Sequence, residues 1–227
     1  GPNKDSNDRF NDYEILSKNL SEFADYLTIN ISSPNTPNLR DFHQTNNLKK
    51  VLISVKNGIA KSKSLDLQLP IFLKIAPDIS KNDLKQIIET ANENNISGLI
   101  ISNTTVDRNK ELQSDNLHET GGLSGIPLFN KSTNFLALAS KIIKIKKYNL
   151  YLIAAGGVSD SKSAYAKILC GAHLVQLYSS MTFDGPLIAE NILKGLLQLM
   201  NRDKISSIKD IRGCLLYTSP SPRDLSE

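Results

Sequence analysis

The sequence predicts an α/β protein built on a parallel sheet, and three observations carry that prediction. Segments that read as strands alternate along the chain with segments of helical spacing. Each strand segment is apolar without a break, as in a sheet covered on both faces. Polar clusters follow the carboxyl ends of the strands, which is where parallel α/β folds bind their ligands.

The first element is a helix, because Phe10, Tyr13, Leu16, Leu20 and Phe23 recur at helical spacing. The strand after it runs from Asp25 to Ser32, with Tyr26, Leu27, Ile29 and Ile31 as its apolar body and Pro34 breaking the ladder just beyond. Leu48, Val51, Leu52, Val55 and Ile59 give a second amphipathic helix, and Ile71 to Ala76 a second strand. Ser80 and Asp83 have the spacing of a capping box, opening a helix with Leu84, Ile87, Ile88 and Ala91 on one face. A third strand, Gly98 to Ser102, leads into a long polar loop holding Gly121, Gly122 and Gly125, and a helix is expected from Ser132 to Lys147. Leu150 to Ala155 and Leu174 to Tyr178 read as two further strands, separated by a short helix that ends at Gly171. A last helix runs from Leu187 to Met200. These strands are too few to close a barrel of eight. An open doubly wound sheet and a barrel without its first three strands both fit the count.

Composition narrows the function classes. The 40% hydrophobic content supports one globular domain. A net charge of +4 is small for 227 residues, and Lys and Arg are interleaved with Asp and Glu, so no field suited to nucleic acid is present. Cys170 and Cys214 have neither the number nor the spacing of a disulfide framework or a zinc site, which points to a reducing compartment. Cys170 reads as a small buried hydrophobe. His43, His118 and His173 are scattered without metal-ligand spacing and read as structural or exposed. No signal peptide is visible and no apolar run approaches the ~18 residues needed to span a bilayer, so the chain by itself reads as soluble. The stretch from Cys214 to Glu227 turns Ser-Pro-rich and reads like a translated vector or adaptor scar. The expected organisation is therefore one domain over 1–213 and a foreign tail over 214–227.

Six stretches carry chemistry. Residues 28–40, Thr-Ile-Asn-Ile-Ser-Ser-Pro-Asn-Thr-Pro-Asn-Leu-Arg, gather two serine hydroxyls with Asn30, Asn35 and Asn38 at a strand's end. Such groups suit a planar polar ligand, and a Pro-fixed βα loop uses the same residues. Pro70 to Asp78 places Lys74 inside an apolar strand, where an ammonium needs an anionic partner unless its head reaches solvent. Ile100 to Arg108 sets Ser102, Asn103 and Thr104 at the next strand's end. Thr120 to Pro127 and Ala154 to Val158 are glycine-rich turns, around Gly125 and Gly157, whose bare backbone can approach a phosphate or a ring. Tyr178 and Ser179 follow the last strand, and barrels often bind phosphate with the loops after their last two strands.

In this order, Asn-Ile-Ser-Ser-Pro-Asn-Thr with Leu-Arg, the Lys74 strand, Asn-Thr-Thr and the two glycine turns resemble the dihydroorotate dehydrogenases over about residues 1 to 200. The resemblance implies a (β/α)8 TIM barrel, here incomplete, with about strands 4 to 8 present and the serine loop after the fourth. It implies FMN as cofactor, bound by Asn30, Lys74, Ser102, Gly125, Gly157, Tyr178 and Ser179; the family more usually has Thr where Ser179 stands. Asn30, Asn35, Asn103 and Thr104 would hold dihydroorotate or orotate. Ser33 would remove the proton from carbon 5 while carbon 6 gives a hydride to the flavin, and Lys74 would stabilise the anionic reduced flavin. Serine rather than cysteine at position 33 resembles the quinone-linked class, which serves pyrimidine synthesis. That class meets a membrane surface, bacterial cytoplasmic or mitochondrial inner, through an amino-terminal segment that is missing before Gly1. Two other readings share part of the pattern. Another FMN- or phosphate-binding barrel oxidoreductase would use similar glycine turns, and an inactive truncated fragment would fit the abrupt start without Met.

Overall fold

The computed structural model describes residues 6–36, 39–62, 69–108, 112–113 and 115–216. Its centre is one parallel sheet of β1 (Leu27–Asn30), β2 (Ile71–Ile75), β3 (Gly98–Ile101), β4 (Tyr151–Ala155) and β5 (Leu174–Gln176). The strands lie side by side in sequence order, β1-β2-β3-β4-β5. Register pairs Leu27 with Ile71, Leu73 with Leu99, Leu99 with Leu152 and Ala154 with Val175. A doubly wound sheet reverses its strand order part-way. No reversal occurs here, so the chain follows the (β/α)8 progression over five strands, β1 and β5 forming the two edges.

Helices make each crossover. α1 (Arg9–Leu20) precedes β1, and α2 (Thr45–Ala60), α3 (Lys81–Glu93), α4 (Phe129–Lys146) and α5 (Ser161–Leu169) connect the strands. α6 (Ser179–Asp184), α7 (Ile188–Arg202) and α8 (Ile208–Ile211) follow β5. Burial on β2 alternates. Ile71, Leu73 and Ile75 point into the helix layer, while Phe72 and Lys74 face the other side. The helix-side core joins Leu73, Leu99 and Leu152 to Leu52, Ile87 and Leu136, each side chain contributing about 1.5–3 kcal/mol by leaving water. On the opposite face Ile100, Ile153 and Ala155 form a small apolar floor with Phe72. This second face is where the polar residues of the strand ends collect. Strands apolar throughout are thus found at β3, which is buried along its whole length, but not at β1 or β2.

Local signals place the helices. Ser80 Oγ accepts from the Asp83 N–H at 3.1 Å and the Asp83 carboxylate from the Ser80 N–H at 3.3 Å, the capping box that the spacing predicts. A second box, Asp160 with Ser163, opens α5. The helix expected from Ser132 begins three residues earlier, at Phe129, behind a 3-10 turn over Ile126–Leu128 that contains Pro127. Its first turn has no capping side chain to announce it. His43 is buried: its Nδ1 lies 2.8 Å from the Arg40 carbonyl and its Nε2 accepts from the Ala76 N–H at 3.3 Å, which fixes the proton on Nδ1 and ties the loop after β1 to the end of β2. Cys170 is buried, as expected for a small hydrophobe.

The chain's last described residues reach just past the expected domain boundary. Cys214–Leu216 form a 3-10 turn, Leu215 packs against the main core, and the Gly213 N–H donates to the Ile168 carbonyl at 3.2 Å. The expected foreign tail from 214 therefore begins inside a turn that is joined to the fold. Residues 217–227, the rest of that expectation, lie outside the described residues, as does Asn38.

Candidate functional site

The site is built by three strand ends meeting on one side of the sheet. Where β1 stops, the Asn30 side chain turns forward, and its Oδ1 accepts from the Ser32 N–H at 3.2 Å and the Ser32 hydroxyl at 2.9 Å. This is the Asx-type turn that Asn offers at a strand's end. Asn103, at the end of β3, reaches across β2 with Nδ2 to Ser32 Oγ at 2.9 Å and to Asn30 Oδ1 at 3.3 Å. Its own Oδ1 accepts from the Thr104 N–H at 2.8 Å. From behind, the Tyr13 hydroxyl donates to the Asn30 carbonyl at 2.8 Å, and burial raises the phenol's pKa, keeping that donor protonated. Ser32 is the shared partner of both asparagines, and no sequence signal marks it as such.

Ser33 is half-buried on the same loop, and its Oγ accepts from the Asn35 N–H at 3.3 Å. The glycine loop before α4 lies close by. A Cβ on Gly122 would fall 1.9 Å from Thr104 Oγ1 and 3.0 Å from Pro34 Cγ, so only glycine lets the loop close over the strand ends.

Beside these loops lies a cavity of about 590 Å³, within the range of cofactor and small-molecule sites. Lys74, Ser102, Asn103 and Thr104 line one side, and Gly125, Gly157, Tyr178 and Ser179 line another. Asn30, Ser33 and Asn35 do not line it. They sit on the adjoining loop, the side-chain oxygen of Asn30 being taken up by Ser32 and Asn103. No carboxylate lines the cavity among the described residues. Lys74 is half-buried with no carboxylate partner among the described residues, and burial lowers its pKa. A site with one under-compensated ammonium and no acid favours an anionic guest.

Gly156 and Gly157 give the cavity its backbone wall, with φ of +101° and +77°. A Cβ on Gly157 would come within 2.4 Å of Phe129 Cα, so the turn is pressed onto the start of α4. Gly157→Ala is expected to cost about 1–2 kcal/mol in backbone conformation alone and to push the turn off Phe129. The check is a thermal melt with a phosphate titration: both stability and anion affinity should fall, and a fully native variant would remove the turn from the binding wall.

The sequence reading missed a charged cluster under the loops. Arg40 Nη1 meets Asp78 Oδ2 at 2.8 Å, Nη2 donates to the Thr104 carbonyl at 3.2 Å, and Nε to the Ser32 carbonyl at 3.4 Å. The Thr105 hydroxyl and Lys131 donate to Asp78 Oδ1, the Val106 N–H donates to Oδ2 at 2.9 Å, and Lys131 also pairs with Asp107. Burial pushes the Asp78 carboxyl up, but the bonds from Lys131, Thr105 and Val106 and the charge of Lys131 outweigh it and hold it below the usual range. Ser124, whose hydroxyl accepts from Ser179 Oγ at 2.8 Å on the cavity wall, is the other addition.

The geometry is shared with known proteins. A family model described as dihydroorotate dehydrogenase matches residues 2–200. The chain is 43% identical over 213 residues to the dihydroorotate dehydrogenase (quinone) of Bartonella tribocorum, covering 93% of this chain and 58% of that one. It is 42% identical over 217 residues to the dihydroorotate dehydrogenase (quinone) of Rhizobium johnstonii, with the same coverage. The crystal structure of DHODH from Eimeria tenella in complex with ferulenol superimposes with a TM-score of 0.86 at 33% identity, covering 97% of this chain and 61% of that one. The chain thus spans 58% of the length of these curated relatives. A family match over residues 2–200, together with the parallel strands and the strand-end loops described above, means that the chain belongs to the dihydroorotate dehydrogenase family.

Proposed function

We propose that the protein carries the site for FMN-dependent oxidation of (S)-dihydroorotate to orotate, with a quinone as final electron acceptor, in pyrimidine synthesis. The observation that carries this reading is the junction of the β1 and β3 loops. Asn30, Ser32 and Asn103 form one hydrogen-bonded group beside a cavity walled by Lys74 and three positive-φ glycines. Enzymes of this family are flavin-dependent, and FMN fits the donor set. Lys74 offers an ammonium with no carboxylate beside it among the described residues, and Gly125, Gly157 and Ser179 offer backbone N–H groups for a phosphate. Ser102 and Tyr178 complete that wall, and Asn30 approaches from the loop. FMN held there would supply the acceptor for the hydride from carbon 6 of the substrate.

The chain's own residues do the rest. Asn35, Asn103 and Thr104, with Asn30, orient the pyrimidine ring and its carboxylate, the positioning part of catalysis. Ser33 takes the carbon 5 proton. A free serine is a poor base, and the N–H that Asn35 donates to Ser33 Oγ at 3.3 Å eases negative charge onto that oxygen. Serine at this position is the reason for assigning a quinone acceptor. The named relatives are dihydroorotate dehydrogenases (quinone), and the membrane surface enters as the place where such an acceptor is met. No helix among the described residues is long and apolar enough to cross a membrane.

The test is an acceptor comparison on purified protein with dihydroorotate as donor. Reduction of a soluble quinone should exceed that of fumarate or NAD. A preference for either of the latter would remove the quinone assignment while leaving the family intact.

A further inference from the structure

Lys167 is the one fully buried lysine among the described residues, at 0% exposure in the last turn of α5. The only oxygen its ammonium reaches among the described residues is Ser132 Oγ, at 2.6 Å, and it lies 5.1 Å from the centre of the Phe129 ring. A buried ammonium without an anion is costly, and a hydroxyl with an aromatic face offsets only part of that cost. Ser132 passes the interaction on. Its hydroxyl accepts from Lys167 and donates to the Gly156 carbonyl at 2.9 Å, the shorter of its two contacts, the Phe129 carbonyl lying at 3.1 Å. That carbonyl shares a trans peptide with the Gly157 N–H, and the two point in opposite directions. Holding the carbonyl back against Ser132 therefore turns the Gly157 N–H away from α4, on a turn that walls the cavity. No acceptor takes that N–H among the described residues.

We propose that Lys167, acting through Ser132, is a positioning residue that orients and polarises the Gly156–Gly157 peptide for a phosphate group, and that phosphate binding there is coupled to a proton on Lys167. The proposal rests on the FMN reading above and deepens it. Burial pulls the Lys167 pKa down to about 7, and a phosphate dianion on the far side of the turn pulls it back up. The titratable groups on α5 and the elements around it do not compete. Cys170, the C-cap of the same helix, is pushed up to about 11 by burial and stays neutral. Asp160 at the helix start is engaged in its cap, Asp203 on α7 is held by Tyr165 and Arg202, and Cys214 lies beside Cys170. Lys74 lies across the cavity.

The sign follows from linkage. Where the bound state holds the extra proton, binding takes up about one proton, and affinity falls by up to about tenfold per pH unit above the free lysine's pKa. Phosphate's own second ionisation, near 6, acts in the opposite sense and lower in pH.

The experiment is calorimetric titration with FMN and with riboflavin, which lacks the phosphate, from about pH 6 to 9 in buffers of different ionisation heat. Wild type should take up about one proton more with FMN than with riboflavin near pH 8. Lys74, assigned to the ring, contributes equally to both ligands and cancels in this difference. Lys167→Met should abolish the difference and leave riboflavin affinity unchanged. If that variant does not fold, Ser132→Ala, which removes only the relaying hydroxyl, should reduce the difference. Equal proton uptake with the two ligands in wild type, or an undiminished difference in Lys167→Met, overturns the role of Lys167 alone. Failure of FMN to bind overturns the FMN reading and this proposal with it.

Discussion

Ser33→Ala is expected to leave FMN bound while slowing flavin reduction by dihydroorotate by roughly 10²- to 10⁴-fold, the usual contribution of a positioned general base. Two structural facts separate binding from chemistry here. Ser33 does not line the cavity assigned to the cofactor, and its single described bond is accepted from the Asn35 N–H. Removing its hydroxyl therefore takes nothing from the cavity wall or from the Asn30–Ser32–Asn103 group. Rapid anaerobic mixing reads both quantities from flavin absorbance. An unchanged reduction rate would make Ser33 a loop residue and move the search for the base elsewhere. Loss of flavin from the variant would show that the two functions are not separable at this loop.

Much of the fold is legible in the sequence because its signals are local. The Ser80–Asp83 box sits at the start of α3, and the apolar runs around Leu73, Leu99 and Leu152 mark strands that the sheet joins in register. The strand ends are read too long, since β1 stops at Asn30 and β5 at Gln176. Their last residues are apolar or polar by the demands of the loop and not of the ladder. The candidate site is legible as polar clusters at those ends, but its internal bonding is not. Ser32 reads as one more loop serine, yet both asparagines meet on it. Lys167 reads as one of the α5 lysines beside Lys162, and only the packing of α5 against Phe129 and Ser132 separates the buried one from the exposed one. Asp78 follows a proline and reads as a turn residue, while its partners lie 27, 38 and 53 positions away. No window of sequence contains such a cluster.

Asp78→Asn is the second change with a large expected effect, and it acts on stability first. The Asp78 side chain is 10% exposed and faces two cations, Arg40 and Lys131. Removing one partner of such a group typically costs about 3–5 kcal/mol, because the charges left behind are under-compensated. For a chain of this size that lowers the melting temperature by on the order of 10 °C. The pH dependence has a definite sign. The folded carboxyl is held below its ordinary value, with the opposing effect of burial outweighed by Lys131, Thr105 and Val106. Its contribution is therefore complete above the unfolded carboxylate pKa of about 3.9 and is lost as pH falls through the lower folded value. Wild type and variant should differ fully at neutral pH and converge in acid. Arg40 carries the effect to the site, since the same guanidinium holds the Ser32 and Thr104 carbonyls. With its carboxylate gone, the loops that bear Ser33 and Asn103 lose their common tie, and a displacement of about 1 Å there is enough to slow turnover about 10²-fold. Thermal melts across pH, with flavin-reduction rates at neutral pH, test both steps: superimposed melts at pH 7 would refute the clamp, and a destabilised variant with wild-type rates would confine Asp78 to stability.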